Sequence, residues 1–395
     1  MRVAGALPAL RAALARGAWG CALALLLLVA CKGEAPVTPP GGDGGSVTPG
    51  PGDNTPPPAL TPTRTPSPET TLLLVKEFGA NADTLRLVDP RDPSRSRAVL
   101  TIEHAEGWGA RVAISPDGRR VAYAVLPRGA RDERLQAELW VAPLDGGAPV
   151  RQATGIDLRG GALWAADGSA VFARRNEGNA VQVLRVDQRA GSQPQAIPAG
   201  AGVASLTLAG AHGRYIYWAE FSLETGQSVL RVYDVQSGQA SASLTLAQEP
   251  ARDLALSPDG ARLAFVGANT LKAFLADLSG RTVSELATGG QPALQPAWLP
   301  DASAVAFGLA PQGGQPGRLV LFGTGGSRDL LSLSRGFLQP LAWAPDGSYL
   351  VCYYYTGSLA NPGTPAVVTV TAEGRQASLP VAGEAEIVGW ARGRL

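Results

Sequence analysis

Short apolar stretches alternate with polar turns along most of the chain, from Thr71 to Leu395. In each clear unit an apolar stretch ends at Pro-Asp-Gly or a close variant, and a second apolar stretch follows at once. Ile114–Gly118 followed by Val121–Tyr123 is an example. Proline fixes the backbone φ angle, aspartate accepts hydrogen bonds from the turn backbone, and glycine tolerates positive φ. The pattern therefore predicts a β-hairpin that recurs along the chain.

Five clear and two weaker copies of this hairpin follow one another at intervals of about 40–50 residues. Downstream apolar stretches, such as Glu138–Val141 and Val181–Val186, predict two further strands in each unit. The last turn position of each copy is occupied in chain order by Gly118, Gly168, Gly213, Gly260, Ala302, Gly347 and Gly393. We therefore predict an all-β, seven-bladed β-propeller of four-stranded antiparallel blades, with six or eight blades as the alternatives.

The two ends of the repeat region predict how the ring closes. The last copy offers a single strand, Glu386–Trp390, whereas the first residues of the region offer two unassigned strands, Thr71–Val75 and Thr84–Val88. Pairing these strands in one sheet would complete a blade and leave no open edge at the seam. Because a blade cannot bury both of its faces alone, we predict one propeller domain over residues 71–395.

The residues before Thr71 have a different character. Residues 1–20 contain arginines and no acidic residue, and an apolar run of ten residues follows. This arrangement predicts a cleaved secretory signal peptide over residues 1–30; an uncleaved membrane anchor would need about 20 apolar residues. The end of the run matches the lipobox of bacterial lipoproteins, in which the final cysteine is lipidated: Leu28, Val29, Ala30 and Cys31. We therefore predict a lipid on Cys31.

Residues 31–70 are rich in proline, glycine and threonine. Such a segment has too little apolar surface to offset the entropy lost on ordering, so we predict a disordered tether between the lipid and the propeller. The protein would then be extracytoplasmic, anchored to the cell membrane or outer membrane through its N-terminal lipid alone.

The composition limits the class of protein further. The 395 residues include 49 glycines and 32 prolines, too many helix-breaking residues for a helical bundle or coiled coil. A hydrophobic fraction of 45% is enough for a sizeable core. The formal net charge of +1 offers no strongly basic surface, so we expect no nucleic-acid partner.

The repeated pattern of Trp-x-Pro-Asp-Gly, then Val or Leu, Ala and Phe, resembles the repeat of the TolB-like propellers, also called PD40 or WD40-like repeats. Trp298–Phe307 is one such copy, with alanine in place of the turn glycine. The resemblance extends from Thr71 to the C-terminus and implies a propeller of the extracytoplasmic class. It implies little about activity, because the repeat occurs in periplasmic translocation proteins, in serine peptidases and in lipoproteins of unknown role.

This sequence also departs from those relatives. TolB carries a folded α/β domain before a six-bladed propeller, whereas here a tether precedes seven hairpin copies. The peptidase relatives carry an α/β-hydrolase domain, which we do not find, so the peptidase role is not carried over. No Gly-x-Ser-x-Gly nucleophile elbow or lysine-containing phosphate loop occurs either.

Few residues offer metal-binding or catalytic chemistry. The chain has two histidines; His104 precedes the first clear hairpin, and His212 stands at a turn position that holds aspartate in other copies, where we interpret it as structural. Cys352 lies in an apolar run and is predicted to be a buried, inert thiol. We therefore predict no metal site and no cofactor.

The repeated turn residues lie at the same place in separate units, so we interpret them as structural rather than catalytic. They are Asp117, Gly118, Asp167, Gly168, Asp259, Gly260, Asp301, Asp346 and Gly347. Trp164, Trp298, Trp343 and Trp390 precede these turns, and we expect them between blades, although such aromatic residues can also line a ligand pocket.

These observations favour a non-catalytic, monomeric scaffold that binds an envelope protein or ligand. The charged insertion Arg128–Leu135 and the aromatic run Tyr353–Tyr355, expected to open a loop, are candidate contact residues. One alternative is a carboxylate-dependent glycan hydrolase or lyase with its site in the central funnel, which would need two acids within about 5–10 Å. Candidate acids for it are Glu103, Glu106, Glu220 and Glu224. A small-ligand sensor is the other alternative.

Overall fold

The computed structural model describes residues 69–178, 180–381 and 384–395. Within them the chain forms seven four-stranded antiparallel sheets, so the predicted all-β, seven-bladed β-propeller is confirmed. The predicted signal peptide, the lipobox residues 28–31 and most of the predicted tether lie outside the described residues. No helix among the described residues is both long enough and apolar enough to cross a membrane.

We number the blades around the ring and give the strands of each blade from the axis outwards. Blade 1 contains β28 (Ala385–Gly393), β1 (Thr70–Glu77), β2 (Ala82–Asp89) and β3 (Asp92–Glu103). Blade 2 contains β4 (Arg111–Ile114), β5 (Arg120–Val125), β6 (Ala137–Pro143) and β7 (Val150–Ile156). Blade 3 contains β8 (Ala162–Trp164), β9 (Ala170–Glu177), β10 (Ala180–Asp187) and β11 (Gln195–Pro198). A single turn of 3-10 helix, Leu158–Gly160, connects blades 2 and 3.

Blades 4 to 7 repeat the same order. Blade 4 contains β12 (Val203–His212), β13 (Tyr215–Ser222), β14 (Gln227–Asp234) and β15 (Gln239–Ala247). Blade 5 contains β16 (Ala251–Leu256), β17 (Arg262–Gly267), β18 (Ala273–Asp277) and β19 (Thr282–Glu285). Blade 6 contains β20 (Ala293–Trp298), β21 (Ala304–Leu309), β22 (Arg318–Gly323) and β23 (Gly326–Ser332). Blade 7 contains β24 (Phe337–Trp343), β25 (Tyr349–Tyr355), β26 (Ala366–Thr371) and β27 (Gln376–Ser378).

The hydrophobic core is divided among the boundaries between blades. Each of the seven boundaries contains its own cluster of buried apolar side chains, and every such cluster draws residues from the two blades that meet there. The innermost strands of successive blades also contact one another all the way round the ring, from β4 to β28 and back to β4. Each blade therefore buries its faces only against its neighbours, as expected for a repeat architecture.

Blade 1 closes the ring by joining the two ends of the repeat region. Strand β28 pairs antiparallel with β1, and the register runs from Thr70 opposite Gly393 to Glu77 opposite Ala385. Buried Lys76 supports this seam, because its Nζ donates to the carbonyl oxygen of Ala110 and lies 2.7 Å from Oε2 of Glu386. The prediction that the N- and C-terminal strands share one blade is confirmed.

The antiparallel order gives the ring two different faces. We call turn face the side that carries the Asp-Gly turns, where the first strand of a blade connects to the second. We call loop face the opposite side, where the second strand connects to the third and each blade connects to the next. This division follows from the strand order. Loop residues can contact the same partner only if they lie on the same face.

One sequence expectation about these loops is wrong. Tyr353, Tyr354 and Tyr355 do not open a loop but complete β25, where Tyr355 pairs with Phe337 of β24. The ring of Tyr355 is buried and stacks on Phe337 with centroids 4.9 Å apart. The run belongs to the strand because its side chains alternate between the two faces of a sheet.

Candidate functional site

The repeated turn aspartates accept hydrogen bonds within their own turns. Asp259 accepts from the hydroxyl of Ser257 at 2.5 Å and from the backbone N–H of Ala261 at 3.1 Å, and the hydrogen bond from Ser257 lowers the pKa of Asp259. Asp117, Asp167, Asp301 and Asp346 make equivalent bonds to the backbone two residues further on. These aspartates lie on different blades and stabilise separate turns.

Three of the repeat tryptophans link neighbouring blades. Their indole N–H groups donate to inner-strand carbonyl oxygens of the preceding blade: Trp164 to Ala113 at 3.1 Å, Trp298 to Ala255 at 2.9 Å and Trp343 to Ala297 at 3.2 Å. The guanidinium groups of Arg120 and Arg262 lie 4.7 Å from the ring centroids of Trp164 and Trp298, respectively. The preceding blade therefore holds each of these three tryptophans by a hydrogen bond, and it also places a guanidinium group over Trp164 and Trp298.

Trp390 differs from the other three. Its ring is only partly buried, and its indole nitrogen is shielded from solvent with no hydrogen-bond partner among the described residues. Tyr349 of the preceding blade packs against it edge to face, with centroids 5.9 Å apart. The orientation of Trp390 therefore depends on packing, without the indole hydrogen bond that holds the other three.

The histidines and the described cysteine have structural surroundings. Nδ1 of His212 lies 3.0 Å from the carbonyl oxygen of Pro258 in the next turn, and Nε2 of buried His104 lies 3.2 Å from Oδ1 of Asp83. Cys352 is fully buried, and burial raises the pKa of its thiol well above its usual range. No group of three or more potential metal ligands occurs among the described residues.

The four candidate acids are not brought together. Glu103 and Glu106 belong to blade 1 and the connection after it, whereas Glu220 and Glu224 belong to blade 4, so blades 2 and 3 intervene. Three of the four are exposed, and only Glu220 is buried. Glu220 accepts hydrogen bonds from the backbone of Gly200, the indole of Trp218 and the guanidinium of Arg231. Its carboxylate thus has a structural role in joining a loop to the sheet.

Other buried acids on the loop face have the same role, and the sequence analysis did not identify them. Asp157 accepts from Arg174, Asn176 and the backbone of the 3-10 turn. Glu249 accepts from two successive backbone N–H groups and one hydroxyl in the loop after β17. Because these acids stand outside the repeated motif, no sequence pattern revealed them. Together with Glu220 they fix the loop conformations of blades 2 to 5.

The loop face also carries most of the exposed large apolar side chains of the described chain. Phe78 lies between β1 and β2, Leu135 between β5 and β6, and Leu223 between β13 and β14, with exposed fractions of 38%, 47% and 77%. Val150, on the outermost strand of blade 2, is the fourth such residue and is 59% exposed. The predicted insertion Arg128–Leu135 belongs to this face, and its Glu133 binds Arg159 at 2.7 Å.

A cavity of about 560 Å³ lies at the axis of the ring. Inner strands of blades 5, 6, 7 and 1 line it, so it belongs to the central channel. Its polar residues include Asp253 and Gln295, and its aromatic residues are Trp298, Trp343 and Trp390. The lining also includes Pro300 and Pro345 of two of the repeated turns, so the cavity extends to the turn face.

Asp253 is the acid of this cavity. It stands at a bulge in β16, where its backbone φ of 50° lies in the left-handed region. Burial raises the pKa of its carboxyl group, and Arg252, 2.9 Å away, acts in the opposite direction. The repeat gave no reason to single out Asp253, because its surroundings arise only when four blades meet at the axis.

Comparison with known proteins supports the fold. No family model matches the chain, and no curated protein matches it. Similar solved structures include an oligogalacturonate lyase in complex with manganese (16% identity, TM-score 0.53), covering 78% of this chain and 85% of that one. Another is the β-propeller domain of the Trilobed protease from Pyrococcus furiosus (15% identity, TM-score 0.52), covering 80% and 96% of the two chains. The chain is a seven-bladed β-propeller.

Structural neighbours also include the TolB-like proteins that the repeat resembles. TolB from Acinetobacter baumannii aligns at 17% identity with a TM-score of 0.46, over 64% of this chain. The alignment spans 61% of the length of that TolB chain. At these levels of identity, the similarities concern the propeller fold and not an activity.

Proposed function

We propose that this protein is an extracytoplasmic, lipid-anchored and monomeric β-propeller that binds an envelope protein through its loop face and catalyses no reaction. The observation that carries the proposal is the position of Phe78, Leu135 and Leu223, three exposed apolar side chains on loops of one face. Exposed apolar side chains that share one face of a protein are typical of protein interaction sites.

The loop face is suited to binding because several of its loops are already ordered. Buried Asp157, Glu220 and Glu249 hold the backbone or side chains of adjoining loops through several hydrogen bonds each. Preordered loops reduce the entropy lost when a partner binds. A rigid ring with fixed loops on one face fits a scaffold role.

The predicted signal peptide and the predicted lipid on Cys31 supply the extracytoplasmic part of the proposal. In-cell photocrosslinking tests the binding part: a photoreactive amino acid is placed at Leu223 or Leu135, and captured proteins are identified by mass spectrometry. The matched control places it at Val150, which is similarly exposed but lies on an outer strand. We expect the same captured protein from both loop positions and not from Val150. Equal capture from all three positions would contradict the assignment of the loop face.

Anchoring needs its own control. The Cys31→Ala variant should be released from the membrane fraction while retaining a folded propeller, because the change lies outside the ring. If Cys31→Ala remains in the membrane fraction, the lipid anchor is wrong whatever the crosslinking shows.

A carboxylate-dependent glycan hydrolase or lyase is the second candidate, because Asp253 is an acid with a raised pKa in the central channel. Among the described residues lining the cavity, however, it is the only carboxylate, whereas the usual mechanism needs two. The test is incubation with oligogalacturonate, chosen because a lyase for that substrate shares the fold. Product release that Asp253→Asn abolishes would replace the scaffold proposal.

A further inference from the structure

The central cavity has the size and position of a small-molecule site. Its volume of about 560 Å³ lies within the range of roughly 300–1,000 Å³ that is usual for ligand pockets. It reaches the turn face, away from the loops proposed to bind a protein. A ligand there would use a different surface from the proposed protein partner.

Asp253 occupies its place in this cavity at an energetic cost. The left-handed region is unfavourable for a residue other than glycine, although aspartate tolerates it better than most residues. Its carboxyl group is also largely surrounded by protein, although 31% of the side-chain surface remains accessible. Backbone strain, a bulge and a partly desolvated acid commonly occur together at binding sites. The turn aspartates, by contrast, accept hydrogen bonds within their own hairpins.

The charges around Asp253 determine which ligands the cavity suits. Arg252 lies 2.9 Å from its carboxylate, so this pair contributes no net charge. The other described residues lining the cavity are uncharged. A strongly ionic ligand would lack a counter-charge there, whereas a neutral ligand with hydroxyl groups could donate to Asp253 and bond the amide of Gln295. Gln295 is already oriented, since Nε2 of Gln339 donates to its Oε1 at 3.0 Å.

The apolar residues of the lining favour a ligand that also has an apolar surface. Leu254, Leu341 and Trp390 provide an apolar wall, and Trp390 alone among the repeat tryptophans is only partly buried and without a hydrogen bond in the described structure. A buried N–H without an acceptor is unfavourable, because it has given up its hydrogen bond to water and gained none in return. A small rotation of the ring toward a ligand oxygen would supply the missing acceptor. Trp390 is therefore the part of the wall that can adjust to a ligand.

We propose that the central cavity binds a neutral, hydroxylated small molecule of mono- or disaccharide size. Asp253 and Gln295 bond its hydroxyl groups, and Trp390 packs against its apolar ring face. A sugar combines these features, because it presents hydroxyl groups at its edge and C–H groups on its faces.

Calorimetric titration of the full chain tests the proposal, with cellobiose and di-N-acetylchitobiose as probes and ethanolamine as a cationic comparison. The protein is kept in a polyoxyethylene detergent, because a detergent with a sugar headgroup could occupy the cavity. We expect at least one disaccharide to bind and ethanolamine not to bind. Absence of heat with both disaccharides at millimolar concentration, or binding of ethanolamine alone, overturns the proposal.

Two variants locate the binding. Asp253→Gly removes the carboxylate while glycine accepts a φ of 50° without strain, so the variant should fold and bind at least about 10-fold more weakly. Asp259→Asn, in a turn of the same blade, is the matched control and should bind as the unchanged chain does. Trp390→Phe should abolish most of the change in tryptophan fluorescence on binding. Equal affinity in Asp253→Gly and the unchanged chain would place the sugar elsewhere and refute the assignment.

Discussion

Ala302 shows how closely this fold depends on single backbone conformations. It stands where Gly118, Gly168, Gly260 and Gly347 stand in other turns, and it has the same left-handed conformation, with φ of 60°. An alanine Cβ is unfavourable there, because it approaches the following carbonyl oxygen. The turn forms nevertheless, since Asp301 and the surrounding strands over-determine its geometry.

Ala302→Gly should therefore raise the free energy of unfolding by about 0.5–1 kcal/mol, measured by chemical denaturation. The reciprocal change Gly347→Ala should lower it by about 1 kcal/mol, because its Cβ would meet nothing closer than Pro300 at 3.9 Å and only the φ of 72° opposes it. A loss of stability in Ala302→Gly would show that this turn prefers alanine for a reason other than backbone strain.

The turn aspartates predict how stability depends on pH. Hydrogen bonds lower the pKa values of Asp259, Asp301 and Asp346 below the ordinary value of 3.8. The unfolded chain therefore binds protons first, so this contribution is present above about pH 4 and is lost as the pH falls through the folded values. The thermal midpoint should fall between about pH 5 and pH 3, and it should fall less steeply when all three are asparagine. An equally steep fall in the triple variant would show that these aspartates do not cause the acid sensitivity.

Neighbouring blades pack so closely that some strand positions accept only glycine. A Cβ placed on Gly308 of β21 would lie 1.8 Å from the carbonyl oxygen of Leu338 on the inner strand of blade 7. The φ of Gly308 is not in the left-handed region, so the requirement for glycine comes from packing between blades. This contact explains a glycine that the repeat pattern leaves unexplained.

Gly308→Ala should lower the free energy of unfolding by about 1–3 kcal/mol, because blades 6 and 7 would have to separate locally. Gly325→Ala is the matched control: its φ is also outside the left-handed region, and nothing lies within 4 Å of the added Cβ. Denaturant titrations of both variants measure the difference. Equal stabilities would mean that the boundary between these blades relaxes without cost.

The strands that could be predicted from the sequence are those marked by residues close together along the chain. Hairpins, turns and the ring-closing strands follow from apolar stretches and turn residues a few positions apart. Asp253 could not be found that way, because its place in the cavity depends on a bulge in β16 and on three other blades. The equivalent bulges of β24 and β28 carry Leu341 and Val388 instead, so the repeat does not predict an acid at this position. The prediction that Tyr353–Tyr355 opens a loop was wrong. An aromatic run before a glycine resembles the start of a loop, but pairing with β24 extends the strand through Tyr355.

Because the ring is closed, its first and last strands are neighbours in one blade. Thr70 and Gly393 are paired neighbours at the end of blade 1, and the ring has no covalent bond at this point. The cooperativity of unfolding comes from packing between neighbouring blades, and all seven boundaries are packed in the same way. Where the chain begins should therefore matter little to the stability of the ring.

A circular permutant tests this directly. Joining Leu395 to Thr70 by a short glycine-serine linker and opening the chain at exposed Gly129 should give a folded monomer with a single unfolding transition. Opening the chain instead within β13, whose Trp218 is fully buried, is the control and should prevent folding. Thermal unfolding and size-exclusion chromatography report both outcomes. A permutant at Gly129 that unfolds in two steps would show that the seam is a special boundary.

The entry point of the chain also gives the ring a direction. Glu69 contacts Arg119 beside the first Asp-Gly turn, and Thr70 lies opposite the end of β28, so the polypeptide enters at the turn face. If the preceding residues carry the proposed lipid, the tether is attached on the turn face, opposite the loops. A protein bound to the loops would then lie on the side of the ring away from the attachment point. Anchoring and protein binding would therefore not compete for the same surface.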